Sequence, residues 1–355
     1  MEKKQKLALL LSGSLVFLYL FGSGALPFLG PDEPRYAQVA RQILESRDWI
    51  VPYLGPFPWF EKPILLYWLM ALSYAVFGVG EFAARFPSAL AALGSVIVVY
   101  RLVVRASSSP TAILASFILG TSAFLVVFSH ATSFDMLFTF FVTASLCSFL
   151  EFQVQPEKNS ALYRTYIWSG CAILAKGFVA LPLIALPILA YLVLSKESKQ
   201  IASLKLPTGI LIMIAITALW FVPVSLIYGW RFWDIFVYQH HVLRYTTTTF
   251  HKAVAWWFYI PILILGTYPW TTAPFAGLRN LDTKNDKTIV RFCLCWFFVI
   301  VLFFSLSRSK LPDYVLPAIP AFAILSSVSL MRNHSTRSLL MRFGVLNLIV
   351  GCAIL

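Results

Sequence analysis

Phe297-Phe298-Val299-Ile300-Val301-Leu302-Phe303-Phe304-Ser305-Leu306 holds no charge and does not alternate polar with apolar residues. Leu181 to Leu194 reads the same way. A membrane β-strand alternates with a period of two, so unbroken runs of this kind are helices in lipid. At a rise of about 1.5 Å per residue, each crossing of a core about 30 Å thick takes roughly 20 apolar residues. Such stretches recur outward along the chain, with spans expected at 7–28, 83–104, 110–130, 133–152, 163–176, 177–195, 206–228, 256–276, 288–306, 312–330 and 340–355. The fold class is therefore an all-α polytopic membrane protein with about eleven crossings.

Composition agrees. Of 355 residues, 59% are hydrophobic and 12% charged, about half the charged share of a soluble domain. Cys147, Cys171, Cys293, Cys295 and Cys352 lie inside apolar segments. Cys293 and Cys295 point about 200° apart on a helix, so the set suits neither a disulfide framework nor a zinc site. Met1 to Leu20 has the basic start and apolar run of a signal peptide, but no clear small-x-small cleavage site follows, and it is read as a retained first span.

The net charge of +13 is mainly a topology signal. With the Lys3-Lys4-Gln5-Lys6 end in the cytoplasm, the linkers holding Arg101/Arg105, Lys158/Arg164, Lys196/Lys199/Lys205, Arg279 to Arg291 and Arg332 to Arg342 also fall inside. Nucleic-acid binding would need a basic soluble surface, and these cations sit in short loops between spans instead. The scheme keeps Ile64 to Val79 from crossing; Tyr67, Trp68 and Tyr74 suit a helix lying at the interface. The whole chain, 1–355, forms one module whose outer loops are 29–79 and 229–255. Leu346 to Leu355 stays apolar to the end, as expected of a chain cut short at its C-terminus.

Charges on the outer face have no topological duty, and a charge at a span end is costly without a partner. Pro31-Asp32-Glu33-Pro34-Arg35-Tyr36 starts a surface helix whose Tyr36, Ala40, Ile43 and Leu44 form an apolar stripe. Asp32 also suits an N-cap there. Glu61-Lys62 precedes the interfacial helix, Asp135 lies between Phe134 and Leu137, and Lys176 sits in Ala175-Lys176-Gly177 at the tip of a shallow hairpin. Tyr238-Gln239-His240-His241-Val242-Leu243-Arg244 offers two adjacent histidines that cannot face one point on a helix. Ser307-Arg308-Ser309-Lys310-Leu311-Pro312-Asp313-Tyr314 gathers cations, hydroxyls and a tyrosine of the kind that receives a phosphate. Isolated acids beside several cations suit sugar transfer from a phosphate-linked lipid, where a carboxylate handles the acceptor and cations stabilise the departing phosphate.

The ordered set Pro31-Asp32-Glu33-Pro34-Arg35-Tyr36-Ala37, Glu61-Lys62-Pro63 and Glu81-Phe82-Ala83-Ala84-Arg85 resembles the polytopic C-superfamily glycosyltransferases that use polyprenyl-phosphate sugars. Within them it looks most like bacterial lipid A aminoarabinose transferases and protein mannosyltransferases. The resemblance implies an inverting transferase in the bacterial cytoplasmic (inner) membrane, working on its periplasmic side. Its donor would be an undecaprenyl-phosphate sugar (aminoarabinose, mannose or similar) and its acceptor lipid A, another glycan or a protein. It also implies that Asp32 is the catalytic carboxylate and Asp135 a second acid. Arg35, Lys62, Lys176, Arg244, Lys310 and Tyr314 would line the lipid-phosphate site. No cofactor is obligatory, but Glu61 with His240 or His241 resembles a position for a divalent cation. Members of this family usually continue into further spans and a soluble C-terminal domain, which this sequence lacks; Pro63-Ile64 stands where a double proline is common. A transporter or flippase for a lipid-linked sugar is the alternative, although charges clustered at one face and the lack of a visible repeat speak against it.

Overall fold

The computed structural model describes residues 3–157, 159–243, 246, 254–276, 281 and 283–332, except for the side chains of 3–11, 198, 199 and 241. The expected span 340–355, and Arg244, lie outside these residues. The described chain is almost wholly helical. α1 (Lys3–Leu20) leads through a turn into α2 (Asp32–Ser46), then a hairpin of β1 (Tyr53–Leu54) and β2 (Phe57–Pro58), then α3 (Leu65–Phe77). There follow α4 (Glu81–Ala106), α5 (Ser109–Thr121), α6 (Ala123–Ser129), α7 (Phe134–Val154), α8 (Asn159–Lys176) and α9 (Ala180–Leu194). The rest comprises α10 (Leu206–Tyr228), α11 (Trp230–Trp233), a π-helical stretch Asp234–Leu243, α12 (Tyr259–Thr267), α13 (Lys284–Leu306) and α14 (Ile319–Met331).

Among the described residues, five helices are long and apolar enough to cross a bilayer: Glu81–Ala106, Phe134–Val154, Gln200–Tyr228, Lys284–Leu306 and Pro312–Met331. They match five of the expected spans. The expected span 110–130 is instead two helices, α5 and α6, bent by 59°. The cause lies in the backbone: Ala123 N donates to Tyr268 O at 3.0 Å rather than back up its own helix, and Trp270 Nε1 donates to Thr121 Oγ1 at 2.9 Å. The expected span 256–276 is α-helical only over Tyr259–Thr267, with a separate 3-10 turn at Ala273–Ala276. Pro269 ends it, since a proline disfavours helical backbone at the preceding residue and brings no N–H. α1 stops at Leu20, well short of the expected 28.

α3 has 13 residues, about 20 Å of helix, too short to cross. With α2 it forms a shelf whose buried Tyr36 and Tyr67 close on Phe134, at centroid distances of 4.9 and 5.1 Å. The small hairpin is a strand pair in a chain expected to be all helix, pairing Tyr53 with Pro58 and Leu54 with Phe57. Gln42 holds its turn, donating to Gly55 O and accepting from Gly55 N at 3.0 Å each.

α7 is enclosed by α4, α8 and the residues around Pro312, and nearly every side chain it carries is buried. α10 is the opposite case, with Leu211, Leu219 and Leu226 at 67%, 66% and 82% exposure, which gives it a face toward lipid. Lipid tails are as apolar as leucine, so helices associate here by close packing and by buried polar contacts. At one end Glu151 of α7 accepts from Arg105 of α4 at 2.8 Å and from Arg164 of α8 at 2.9 Å. At the same end the fully buried Asp286 of α13 pairs with Arg332 and accepts from Ser107 Oγ at 3.2 Å.

Gly209 lets α10 lie directly on Tyr166 of α8, where an added Cβ would stand 2.3 Å from the ring. The tyrosine cannot step aside, because its hydroxyl donates to Leu204 O at 2.6 Å. Gly209→Ala is expected to lower stability by about 1–3 kcal/mol, the usual cost of overpacking. Gly13→Ala, where nothing lies within 4 Å, is the control and should leave the detergent melting temperature unchanged or slightly raised.

Candidate functional site

Gly80 precedes α4, and one turn in, at Arg85, a guanidinium sits in the apolar interior at 2% exposure. A charge so buried survives only if fully paired. Arg85 uses every donor it has. Nη1 reaches Ser23 O and Leu26 O at 2.8 Å, Nη2 reaches Pro27 O at 2.9 Å and Glu33 Oε2 at 2.7 Å, and Nε reaches Glu33 Oε1 at 3.1 Å. Glu33 is saturated in turn, accepting from Leu29 N at 2.8 Å and from Thr132 N at 2.6 Å. Burial on its own would raise the Glu33 carboxyl, but the Arg85 hydrogen bonds and the two amides outweigh it and hold the group below its usual range.

This knot fixes two acids at once. Asp32 precedes Glu33, and Thr132 lies three residues before Asp135. Asp32 is not an N-cap; it is the first helical residue of α2, with Pro31 in the cap position and no side-chain cap bond. Its side chain is exposed and pairs with Arg35 at 3.4 Å. Ser133 provides the cap for α7, accepting from Met136 N at 3.1 Å, so Asp135 sits in a first helical turn where the macrodipole favours negative charge.

Gly177, at φ +84°, turns α8 into α9 and leaves Lys176 at the tip of that hairpin. There the ammonium pairs with Asp135 and lies 4.6 Å from the centre of the Tyr314 ring and 5.4 Å from that of Phe138. Pro312 opens the segment that delivers Asp313 and Tyr314. The Asp313 carboxyl lies close to that of Asp135, so two acids and the Lys176 ammonium share one small region.

Beside this cluster is a cavity of about 330 Å³, within the usual range for a ligand pocket. Glu61, Lys62, Lys176, His240, Ser307 and Tyr314 line its polar part; Phe178, Val237, Phe303 and Phe304 line the apolar part. Lys62 pairs with Glu61 at 3.8 Å. Two ammonium groups and a phenol in a cavity otherwise walled by apolar side chains suit an amphiphile with an anionic head.

The structure thus gathers Glu61, Lys62, Lys176, His240 and Tyr314 around one cavity with Asp135 beside it. It does not bring all the expected residues there. Lys310 is buried at 7% exposure, and its ammonium is turned back onto Ser307 O at 2.6 Å. Arg35 stays with Asp32 at the surface. Arg244 and the His241 side chain lie outside the described residues. For the divalent cation, Glu61 and His240 bring one oxygen and one nitrogen donor to the same cavity; among the described residues no group of three His, Cys, Asp or Glu is arranged around a metal.

Three residues lay within motifs the sequence reading singled out but received no role of their own in it. Asp313 carries the signal that marked Asp135, an acid at the first turn of a span. Arg85 is a lone cation one turn into another, and Glu33 is its counter-charge.

A family model described as dolichyl-phosphate-mannose-protein mannosyltransferase matches residues 61–227. An undecaprenyl phosphate-alpha-4-amino-4-deoxy-L-arabinose arabinosyl transferase of Photorhabdus laumondii is 32% identical over 352 residues, 97% of this chain and 63% of that relative. One from Yersinia pestis is also 32% identical, over 362 residues, 98% of this chain and 63% of its own length. Among solved structures, ArnT from Cupriavidus metallidurans bound to undecaprenyl phosphate superposes with a TM-score of 0.86 at 27% identity, covering 98% of this chain and 63% of that one. The archaeal oligosaccharyltransferase AglB from Archaeoglobus fulgidus, at 14% identity and a TM-score of 0.59 over 92% of this chain and 50% of that one, shares the fold alone. The chain therefore spans somewhat under two thirds of the length of the curated relatives it matches.

Glu33→Ala strands the Arg85 guanidinium and is expected to cost about 3–5 kcal/mol. The depressed Glu33 pKa gives a pH signature. Its contribution to stability is complete above the unfolded carboxylate value of about 4.3 and is lost as pH falls through the lower native value. Melting in detergent from neutral to acid pH should therefore fall more steeply for the wild-type chain than for Glu33→Gln, which has no proton to take up.

Proposed function

We propose, from its similarity in sequence and fold to the polytopic C-superfamily glycosyltransferases that use polyprenyl-phosphate sugars, that this chain moves a sugar from an undecaprenyl-type phosphate carrier to a membrane-presented acceptor. The observation that carries this reading is the cavity that Lys62, Lys176 and Tyr314 share with the apolar side chains Phe178, Val237, Phe303 and Phe304. In it the donor phosphate lies between the two ammonium groups, and the first isoprene units follow Phe178, Val237, Phe303 and Phe304.

The acceptor oxygen attacks the anomeric carbon from the face opposite the phosphate, which inverts it. The carbon–oxygen bond to the phosphate breaks and its electron pair stays on the phosphate, where Lys62 and Lys176 stabilise the charge. The acceptor proton passes to Asp32, the exposed carboxylate on the same face. The Asp135–Asp313 pair, held by Lys176, sets negative charge beside the oxocarbenium-like centre. Glu61 and His240, which line the same cavity, would hold a divalent cation there. Such an ion, when bound, supplies further neutralisation of phosphate charge.

The same reading puts the N-terminus in the cytoplasm and the cavity on the periplasmic side of a bacterial inner membrane, with about eleven crossings in all. Aminoarabinose is the sugar that the relatives' names favour; lipid A is the acceptor of this proposal.

In membranes supplied with a labelled polyprenyl-phosphate sugar, Lys62→Ala and Asp135→Asn are each expected to slow transfer by about 10²–10³-fold, the cost of removing one group that meets transition-state charge. Unchanged rates in both would end the assignment. Asp313→Asn is expected to shift the pH profile of transfer with little change in donor affinity. Chelation should weaken binding of a labelled polyprenyl phosphate in the wild type and leave the Glu61→Gln variant unaffected; equal loss in both would remove Glu61 from the cation site.

A further inference from the structure

A second cavity, of about 540 Å³, opens between the end of α9 and the first half of α13. It is not part of the donor site. α9 runs 15 residues away from Lys176, about 22 Å of helix, so this cavity is at the opposite membrane face. Two cations line it, Lys196 and Arg291, together with Ser195. Both are exposed, and neither makes an ion pair among the described residues. The acid next in the chain, Glu197, is occupied, accepting from Gln200 Nε2 at 2.9 Å. The remaining wall is hydrocarbon: Ala190, Leu194, Leu294, Cys295, Phe298 and Val299. Leu194 at 75% and Phe298 at 61% exposure continue that wall outward into the bilayer.

The backbone adds a separate observation. α9 ends with Glu197 N donating to Leu192 O at 2.8 Å and Lys196 N donating to Val193 O at 3.1 Å, the pair of bonds that closes a helix through a left-handed residue. That residue is Lys196, at φ +58°. Glycine adopts this conformation without strain, so a lysine here holds its ammonium at the cavity mouth against a backbone preference.

We propose that this cavity binds the phosphodiester head of an anionic phospholipid in the leaflet opposite the donor. The guanidinium fork of Arg291 takes the two non-bridging phosphate oxygens and Lys196 shares one of them, while an acyl chain lies along Leu194 and Phe298. A zwitterionic head offers the same phosphate but adds its own cation beside Lys196 and Arg291, an uncharged head leaves both without an anion, and a free phosphate leaves the apolar wall bare.

Native mass spectrometry of the purified full chain, titrated with phosphatidylglycerol, phosphatidylcholine or inorganic phosphate, tests this. The expected result is one phosphatidylglycerol held per chain, weakened about thirtyfold by the Lys196→Ala/Arg291→Ala double variant, the effect of removing two cations that each meet the headgroup. Lys284→Ala/Lys287→Ala removes two exposed cations from the same helix end but from outside the cavity, and should keep wild-type affinity. The proposal is overturned if phosphatidylcholine is held as firmly, if inorganic phosphate binds as well as the lipid, or if the two double variants lose affinity equally. Each variant's melting temperature in phosphatidylcholine nanodiscs, expected to match the wild type, shows that it is folded.

Discussion

A guanidinium with five hydrogen bonds, set into an apolar helix bundle, fixes the end of this molecule that holds Asp32 and Asp135. Arg85 gathers three carbonyls from the turn after α1 and both oxygens of Glu33. Each of those groups would be costly to bury alone, and together they leave the guanidinium no donor to spare. Because Glu33 also takes the Thr132 amide, the start of α2 and the approach to α7 cannot move independently. Asp32 and Asp135 inherit their positions from that shared anchor.

The two ends of the bundle treat buried charge differently. At one end, Glu151 draws Arg105 and Arg164 and Asp286 draws Arg332, so they serve as clasps between α4, α7 and α8 and between α13 and Arg332. At the other, Lys176 engages Asp135 and the Tyr314 ring yet also lines an open cavity. A cation held by one carboxylate and two aromatic faces is oriented without being used up, the condition for meeting an incoming anion with little reorganisation.

Helix existence was readable because a run of apolar residues reports its solvent directly, and five spans fall where hydropathy put them. The departures have local causes that hydropathy does not register. Ala123 gives its N–H to Tyr268 O, which breaks 110–130 into two helices. Pro269 ends a segment whose composition is otherwise that of a span. The site was legible in part for a similar reason. Lys62, Asp135 and Lys176 stand out as charges where charge is expensive, whereas Arg35 and Lys310 share that look and are spent on Asp32 and on Ser307 O.

The sequence by itself determined that the chain lives in lipid as helices, which segments form its loops, and which charged residues need an explanation, since these follow from local composition and from the energy of placing a group in hydrocarbon. Only the tertiary structure decided which charges answer one another. Glu33 and Arg85 are 52 residues apart, Asp135 and Lys176 are 41 apart, and no periodicity links either pair. Helices are set by neighbours along the chain; ion pairs and cavities are set by how those helices pack. That is why the segment holding Asp313 could be read as polar while its approach to Asp135, far away along the chain, could not.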